Sequence, residues 1–248
     1  MTSPLLETNL SLPVDGADMP AFAVHPQNAE HAPGIILIHE IWGLNDNIRD
    51  IAQRFAGQGY SVLAPDLLKG TDIEGKVDPS IFQEMQDPTK RDEAQKKMRA
   101  ALAPMQSPDF AAALLKKLRV CFAELQKSTE KIAVMGFCFG GSYSFAFAAE
   151  EPRITACIPF YGQPPSEEQI KRIQAPVLAF YGEQDQNLMQ SLPLLKVQMQ
   201  KHGKTFENHV YPQTGHAFFN DQNPRMYQKE AAEDAWKKSL AFLATFNR

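Results

Sequence analysis

The sequence predicts an α/β fold with a mostly parallel central sheet, an N-terminal antiparallel hairpin and helices on both faces of the sheet. First, short apolar strand segments alternate with amphipathic helical segments, a pattern typical of a parallel sheet covered on both sides. Second, an Asp15-Gly16 pair separates two β-type segments near the N-terminus, as in a hairpin turn. Third, the chain has 248 residues, 44% of them hydrophobic, which we interpret as one domain over residues 1–248.

Eight strands are predicted from short apolar or alternating segments bounded by turn-forming residues. They cover residues 6–12, 19–24, 35–39, 60–68, 132–135, 154–160, 177–181 and 205–211. In parallel sheets, ligands bind beyond the carboxyl ends of the strands. The side chains at those ends are therefore candidates for the functional site, and they are Glu40, Asp66, Cys138, Tyr161 and Asp185.

Six helices are predicted, five between these strands and one after the last strand. The first has apolar residues at helical spacing, such as Ile48, Ile51 and Phe55, and it stops at Gly59. Pro104 and Pro108 separate the second helix from the third. The predicted helices cover residues 47–58, 89–103, 109–126, 142–150, 189–202 and 224–246, and the segment 70–88 is polar and turn-rich.

Composition and charge exclude several classes of partner. The formal net charge is −4 with no long basic run, so neither nucleic acid nor an anionic membrane surface is expected. No apolar stretch reaches the roughly 18 residues of a membrane span, and the N-terminal residues do not resemble a signal peptide. Three distant cysteines do not make a disulfide framework. We expect a cytoplasmic protein with reduced thiols, either a monomer or a small homo-oligomer.

The most informative motif is Gly-Phe-Cys-Phe-Gly-Gly at residues 136–141. An apolar strand leads into it and an Ala-rich helical segment follows it. A sharp turn from strand to helix holds its central residue in a strained backbone conformation, and it needs small neighbours. The motif therefore predicts a nucleophile elbow with Cys138 as the nucleophile. Cys121 and Cys157 lie inside a predicted helix and a predicted strand, where we interpret them as small core residues.

A base and an orienting acid follow the elbow in chain order. Asp185 comes after one predicted strand, in Gly-Glu-Gln-Asp, and His216 after the last, in Thr-Gly-His-Ala-Phe. The order nucleophile, acid, histidine is that of the α/β-hydrolase fold. Asp185 would fix the imidazole tautomer of His216, whose other nitrogen would take the Cys138 proton or stabilise the thiolate.

Glu40 ends a buried strand in His-Glu-Ile-Trp-Gly-Leu-Asn. An isolated carboxylate at the end of a buried strand destabilises the fold, so its presence there requires an explanation. It could cap a helix or form a surface salt bridge, or it could point at the nucleophile. In this fold the oxyanion hole uses the N–H after the nucleophile and an N–H from the loop after the third strand. Those groups belong to Phe139 and Ile41, which places Glu40 beside the reacting centre.

No metal or other cofactor is expected. His39-Glu40 lacks a second histidine at helical spacing, and residues 136–141 lack the lysine of a phosphate-binding loop.

Together, the motifs around Glu40, Cys138, Asp185 and His216 resemble those of dienelactone hydrolases (carboxymethylenebutenolidases), and the similarity covers nearly the whole chain. The resemblance implies a hydrolase that opens an unsaturated lactone to maleylacetate during the degradation of aromatic compounds. It also implies that Cys138 is the nucleophile, His216 the base and Asp185 its orienter. Glu40 would hold or deprotonate the resting thiol and swing away when substrate binds, limiting oxidation of the thiolate.

The resemblance matches the substrate side less well. Two arginines hold the substrate carboxylate in such enzymes, and Arg91 fits the place of the first. The second falls at Asn220, and an amide does not replace a charged guanidinium. Arg225 is nearby and either compensates or sits at a surface helix start. Trp42, within the first motif, is assigned to the substrate pocket together with these three residues, and Gln95 stands where an aromatic residue is expected.

The sequence thus predicts a lactone or ester hydrolase that uses a Cys138 thioester. A broader carboxylesterase or thioesterase is the alternative within the enzyme class. A non-catalytic or redox-sensing module on the same fold is the alternative outside it.

Overall fold

A computed structural model describes residues 4–27, 31–77, 80, 81, 84, 87 and 89–246. The strands in these ranges are β1 (Leu5–Val14), β2 (Ala17–Pro26), β3 (Gly34–Ile38), β4 (Ser61–Pro65), β5 (Ile132–Phe137), β6 (Ala156–Phe160), β7 (Val177–Gly182) and β8 (Phe206–Tyr211). They form one sheet in the order β1-β2-β4-β3-β5-β6-β7-β8. The β1–β2 and β2–β4 pairs are antiparallel and the other pairs are parallel. The predicted fold class is therefore confirmed.

Helices cover both faces of this sheet. They are α1 (Asp46–Ala56), α2 (Arg91–Leu102), α3 (Pro108–Gln126), α4 (Phe139–Glu150), α5 (Glu167–Arg172), α6 (Gln186–Lys201) and α7 (Lys229–Phe246), with a 3-10 turn at Ala103–Gln106. On one face α1 meets α7, where the rings of Phe55 and Trp236 lie 4.3 Å apart. On the other, α3 meets α4 through Phe122 and Phe147. The central strands β3, β5, β6 and β7 are buried along their whole length, whereas β1 and β8 at the two edges of the sheet are largely exposed or half-buried.

The parallel register brings distant parts of the sequence together at one edge. Ile38 of β3 pairs with Gly136 of β5, so the residues two positions further on, Glu40 and Cys138, leave neighbouring strands at the same level. Phe137 pairs with Phe160 of β6, which brings Tyr161 to that level as well. The carboxyl ends of the central strands therefore collect the candidate site residues.

Several element boundaries differ from the predicted ones. Helix α4 begins at Phe139 rather than 142, and α6 at Gln186 rather than 189, so each starts directly after a candidate catalytic residue. Strand β4 stops at Pro65 rather than 68, because the Leu67 N–H turns away and donates to the His39 side chain.

The start of the last helix was predicted wrongly, and one short helix was not predicted. Helix α7 begins at Lys229 and not at 224, since Met226 and Tyr227 donate to the carbonyl of Asn223 in a turn. The short helix α5 was not predicted, although Ser166 and Gln169 form a capping box at its start. That spacing is a sequence signal for a helix start.

Some predictions fall partly outside the described ranges. The predicted domain limits include residues 1–3 and 247–248, and the polar segment 70–88 includes positions 78, 79, 82, 83, 85, 86 and 88, all of which lie outside those ranges. Within the ranges, no helix is long and apolar enough to cross a membrane.

Candidate active site

Cys138 occupies the turn between β5 and α4 in a strained backbone conformation. Its φ is +55° and its ψ is −111°, a region that non-glycine residues rarely adopt. A Cβ on Gly140 would lie 2.3 Å from the carbonyl oxygen of Ile38, and one on Gly136 would lie 2.3 Å from that of Gly140. Only glycine allows this close approach. The geometry is that of the predicted elbow, and it leaves the Cys138 side chain partly exposed at the end of β5.

His216 and Asp185 are held together by their two loops. The His216 Nδ1 lies 2.5 Å from the Asp185 Oδ2. The Gln184 N–H donates to the carbonyl of Thr214, and a Cβ on Gly182 would lie 2.4 Å from that same oxygen. The loop after β7 is therefore tied to the loop after β8, and the predicted acid–histidine pair is formed.

The charge state of His216 depends on this pairing. Burial lowers the pKa of His216, but its interactions with Asp185 and Cys138 outweigh burial and raise the pKa to about 10. The raised pKa favours an imidazole that carries a second proton. Since Nδ1 faces Asp185, that proton lies on Nε2, where it can stabilise a thiolate at Cys138.

Glu40 lies directly after β3 and is only 4% exposed. Its Oε2 accepts a hydrogen bond from Asn220 Nδ2 at 2.9 Å, and its Oε1 accepts from the Tyr161 hydroxyl at 3.4 Å. Burial raises the pKa of Glu40, although Asn220, His216 and Tyr161 act in the opposite direction. Its partners are thus side chains of the site, not a helix N-terminus or a surface cation, so the capping and salt-bridge alternatives are disfavoured.

The contacts of Glu40 leave one expectation untested. Its carboxylate is bonded to Asn220 and Tyr161, and no hydrogen bond to the Cys138 thiol is found in the described ranges. Control of the resting thiol by Glu40 remains a prediction.

Tyr161 is a site residue whose role was not predicted from the sequence. It has a φ of +37° and is buried, and its ring lies 4.9 Å from that of His216. Burial, together with the charges of Glu40 and Cys138, raises its pKa well above the usual value. The hydroxyl therefore stays protonated and can donate to Glu40. The only sequence signal was the position of Tyr161 at a strand end.

The candidate oxyanion hole is open to a ligand. Phe139 is the first residue of α4, where an N–H has no partner within its own helix. Within the described part of the chain, neither the Phe139 N–H nor the Ile41 N–H donates a hydrogen bond. Both N–H groups adjoin candidate catalytic residues and can donate hydrogen bonds to a negatively charged substrate oxygen.

The four predicted substrate contacts occupy different environments. Asn220 is committed to Glu40, and Trp42, in the loop after β3, is half-buried. Arg91 begins α2 with an exposed side chain. Arg225 is exposed in the turn four residues before α7, so it does not occupy a helix start. For all four, substrate binding remains a prediction.

Two groups of residues bear on other kinds of chemistry. Cys121 and Cys157 are fully buried, and burial raises the pKa of each thiol. Among the residues the structure describes, no cluster of three or more His, Cys, Asp or Glu side chains is placed to hold a metal ion. A cavity of about 350 Å³ lies beside β2 and the end of α3. It is lined by none of the candidate catalytic residues, so cavity size does not locate the site.

Comparisons with known proteins identify the family that this chain resembles. The model of the dienelactone hydrolase family matches residues 19–247. A Saccharolobus solfataricus protein with the provisional name carboxymethylenebutenolidase is 36% identical over 96% of this chain and 98% of its own length. An Escherichia coli K12 protein with the same provisional name is 28% identical over 95% of this chain and 86% of its own length.

Solved structures are similar over the same extent. A Klebsiella pneumoniae protein, provisionally named a dienelactone hydrolase, has 26% identity and a TM-score of 0.81 over 98% of this chain and 99% of that one. The dienelactone hydrolase of Anabaena variabilis has a TM-score of 0.70 at 15% identity over 98% and 99%, a likeness of fold alone.

Proposed function

This chain belongs to the dienelactone hydrolase family and is an ester or lactone hydrolase, and from that premise we propose that it cleaves its substrate through a thioester on Cys138. The observation that carries the proposal is the His216–Asp185 pair, joined at 2.5 Å, beside a cysteine at a strained elbow. Asp185 orients the imidazole and keeps it protonated, and His216 donates a proton to the leaving group and later accepts one from water.

The first half of the reaction forms the thioester. The Cys138 thiolate attacks the substrate carbonyl carbon, and the carbonyl electron pair moves to the oxygen, where the Ile41 and Phe139 N–H groups stabilise the negative charge. The bond between this carbon and the leaving-group oxygen then breaks as the carbonyl re-forms, and the departing alkoxide takes the Nε2 proton of His216. With a lactone, the alcohol formed in this way stays attached to the acyl chain.

The second half hydrolyses the thioester. His216, now neutral, takes a proton from water as that water attacks the thioester carbon. The same two N–H groups stabilise the second oxyanion. Its collapse releases a carboxylic acid and returns the Cys138 thiolate beside a protonated His216, so the site is restored.

Mass spectrometry of the intact protein and of its proteolytic peptides tests the thioester. After mixing with p-nitrophenyl acetate or an activated lactone and rapid acid quenching, we expect one acyl group on the peptide that contains Cys138. The Cys138→Ala variant is the control and should carry none. Turnover by wild type without any adduct, together with substantial turnover by Cys138→Ala, would remove the proposed nucleophile.

A broader carboxylesterase or thioesterase is the second candidate. It is favoured by Asn220, an uncharged side chain whose amide is already bonded to Glu40, since a site short of cations has less means to select an acidic lactone. The ratio of kcat/KM for dienelactone and for p-nitrophenyl acetate separates the two. A role in aromatic degradation and a cytoplasmic location remain predictions.

Arg91 provides a finer test of the substrate class. If its guanidinium binds a substrate carboxylate, Arg91→Ala should lower kcat/KM for dienelactone at least tenfold more than for the neutral ester, a difference of about 1.4 kcal/mol. Arg99→Ala, a change on the same helix, is the control. Equal losses on both substrates would remove this assignment.

A further inference from the structure

His39 is buried immediately before Glu40, with no exposed surface. The Leu67 N–H donates to its Nε2 at 3.0 Å, and its Nδ1 lies 2.5 Å from the carbonyl oxygen of Glu40. An imidazole nitrogen that accepts from an N–H carries no proton itself. The proton of the neutral ring is therefore on Nδ1, which donates to the Glu40 carbonyl. Burial lowers the pKa of His39, which is consistent with a neutral ring.

The carbonyl that receives this hydrogen bond belongs to the same peptide group as the Ile41 N–H. The chain has no cis peptide bond among its described residues, so the carbonyl and the N–H of this planar group point in opposite directions. A second donor, the Gly43 N–H, reaches the same carbonyl at 3.3 Å. With the Glu40 oxygen fixed on one side, the Ile41 N–H is aimed to the other side, where no described residue accepts from it.

The same imidazole also contacts the second donor segment. Its ring stacks on that of Phe139, with centroids 5.8 Å apart and planes 11° apart. The carbonyl of His39 lies within 2.6 Å of where a Cβ on Gly140 would be. One buried side chain therefore spans the two backbone segments that carry the unpartnered N–H groups.

We propose that His39 is a positioning residue for the oxyanion hole: its Nδ1–H anchors the Glu40 carbonyl and thereby aims the Ile41 N–H at the substrate oxygen. The proposal rests on the proposed function. It requires no change in the charge of His39 and no contact between His39 and substrate. A histidine that only fills and satisfies the core would stabilise the fold without selectively affecting steps that form an oxyanion.

Substitution of His39 separates these two roles. His39→Phe retains a flat ring against Phe139 but loses both hydrogen bonds. His39→Gln has one donor and one acceptor on a single amide and is the rescue variant. Ser239→Ala is the matched control, because it removes a buried hydroxyl that donates to a backbone carbonyl at 2.8 Å, on a helix away from the site.

Two reactions of Cys138 are then compared. Hydrolysis of p-nitrophenyl acetate forms an oxyanion in both half-reactions, whereas alkylation by iodoacetamide forms none. We expect His39→Phe to lower kcat about 10- to 100-fold, somewhat less than the loss of a complete oxyanion-hole donor. KM should change little because both half-reactions slow together, and the alkylation rate and its pH profile should match wild type. His39→Gln should recover most of kcat.

The wild-type protein gives an independent test that needs no variant. A long-range ¹H–¹⁵N correlation spectrum, with His39 assigned by comparison with His39→Gln, should show a protonated Nδ1 and an unprotonated Nε2. A proton on Nε2 would overturn the proposal whether or not His39→Phe folds.

Other results also decide the question. If His39→Phe keeps wild-type kcat, or loses turnover and alkylation alike in proportion to its stability as Ser239→Ala does, His39 is only structural. If wild type shows neither turnover nor an acyl adduct, the proposed function fails first, and that result is distinct from a functional wild type that does not need His39.

Discussion

Asp185 and Glu40 are acidic residues of one site with different partners. Asp185 accepts a hydrogen bond from the His216 Nδ1, whereas Glu40 accepts hydrogen bonds from the uncharged Asn220 and Tyr161. The first arrangement stabilises a neighbouring positive charge. The second leaves a negative charge with little compensation in a buried position, which favours its protonated form.

Asp185→Asn should therefore weaken the reactivity of the thiol. An amide accepts the Nδ1 hydrogen bond without stabilising the imidazolium, so the pKa of His216 should fall from about 10 towards its ordinary value. We expect kcat to drop about 10²- to 10⁴-fold, and the pH profile of Cys138 alkylation to change.

The measurement is the iodoacetamide rate from pH 5 to 10, paired with kcat at each pH. Asp234→Asn removes an ion pair with Lys238 within α7. It is the control, and its alkylation rate and kcat should match those of wild type at each pH. An unchanged alkylation profile in Asp185→Asn would show that Asp185 does not set the charge of His216.

At this scale the sequence indicated residue types and order but not every contact. The elbow glycines, Asp185 and His216 could be predicted because each occupies a fixed position relative to a strand. Tyr161 and His39 could not be assigned roles, because their significance depends on which carboxylate or carbonyl the sheet register places beside them. For the same reason the hydrogen bond from Asn220 to Glu40 could not be predicted.

Helix α4 is the element that sets the geometry of the elbow. Its first turn packs directly on the end of β3, so no atom beyond hydrogen fits at Gly140. The same contact sets the distance between the segments that carry the Ile41 and Phe139 N–H groups. The close packing of α4 on β3 therefore determines the geometry of the candidate oxyanion hole as well.

Gly140→Ala should disrupt both at once. The added methyl would meet two backbone carbonyls at 2.3 and 2.6 Å, and backbone yields less readily than side chains. We expect a loss in the free energy of unfolding of about 1–3 kcal/mol or more, measured by urea denaturation, and a fall in kcat in whatever fraction remains folded.

Gly57→Ala is the matched control for this substitution. Gly57 has an ordinary φ of −61°, and a Cβ there would lie 3.4 Å from the nearest carbonyl oxygen. Its stability should remain within about 1 kcal/mol of wild type. Similar midpoints for the two variants would contradict the role assigned to the close approach of α4.

The ends of helices and strands were predictable where the apolar periodicity stops at the same place as a helix- or strand-breaking residue. Helix α3 is an example, since it ends at 126 as predicted. They were not predictable where side chains take over backbone hydrogen bonds. Strand β4 ends early because His39 accepts the Leu67 N–H. Helix α7 starts late because the Asn223 carbonyl holds a turn in front of it.

The stability of the whole molecule should depend on pH through Glu40. Its pKa in the folded state lies above the ordinary 4.5, so the native state binds this proton more tightly than the unfolded chain does. The free energy of unfolding therefore falls as pH rises above about 4.5 and through the native pKa. Above that pKa, Glu40 lowers stability by a constant amount.

Glu40→Gln removes this contribution. Relative to wild type, the variant should gain stability steadily between pH 4 and pH 7, as measured by chemical denaturation at several pH values. The contribution of His216 is common to both proteins and largely cancels in the difference. Parallel stability curves over this range would contradict the inference that a buried, weakly compensated carboxylate is present.

The three cysteines differ in access: Cys138 is partly exposed, and Cys121 and Cys157 are sealed inside the core. A brief pulse of a mass-tagging thiol reagent should therefore add one tag to a native molecule and three to a molecule that has opened. Because the two tag numbers give different masses, a mixture of native and opened molecules gives separate peaks in the mass spectrum rather than one averaged signal. The native cysteines thus report the fraction of molecules that have opened globally, and no engineered labelling site is needed.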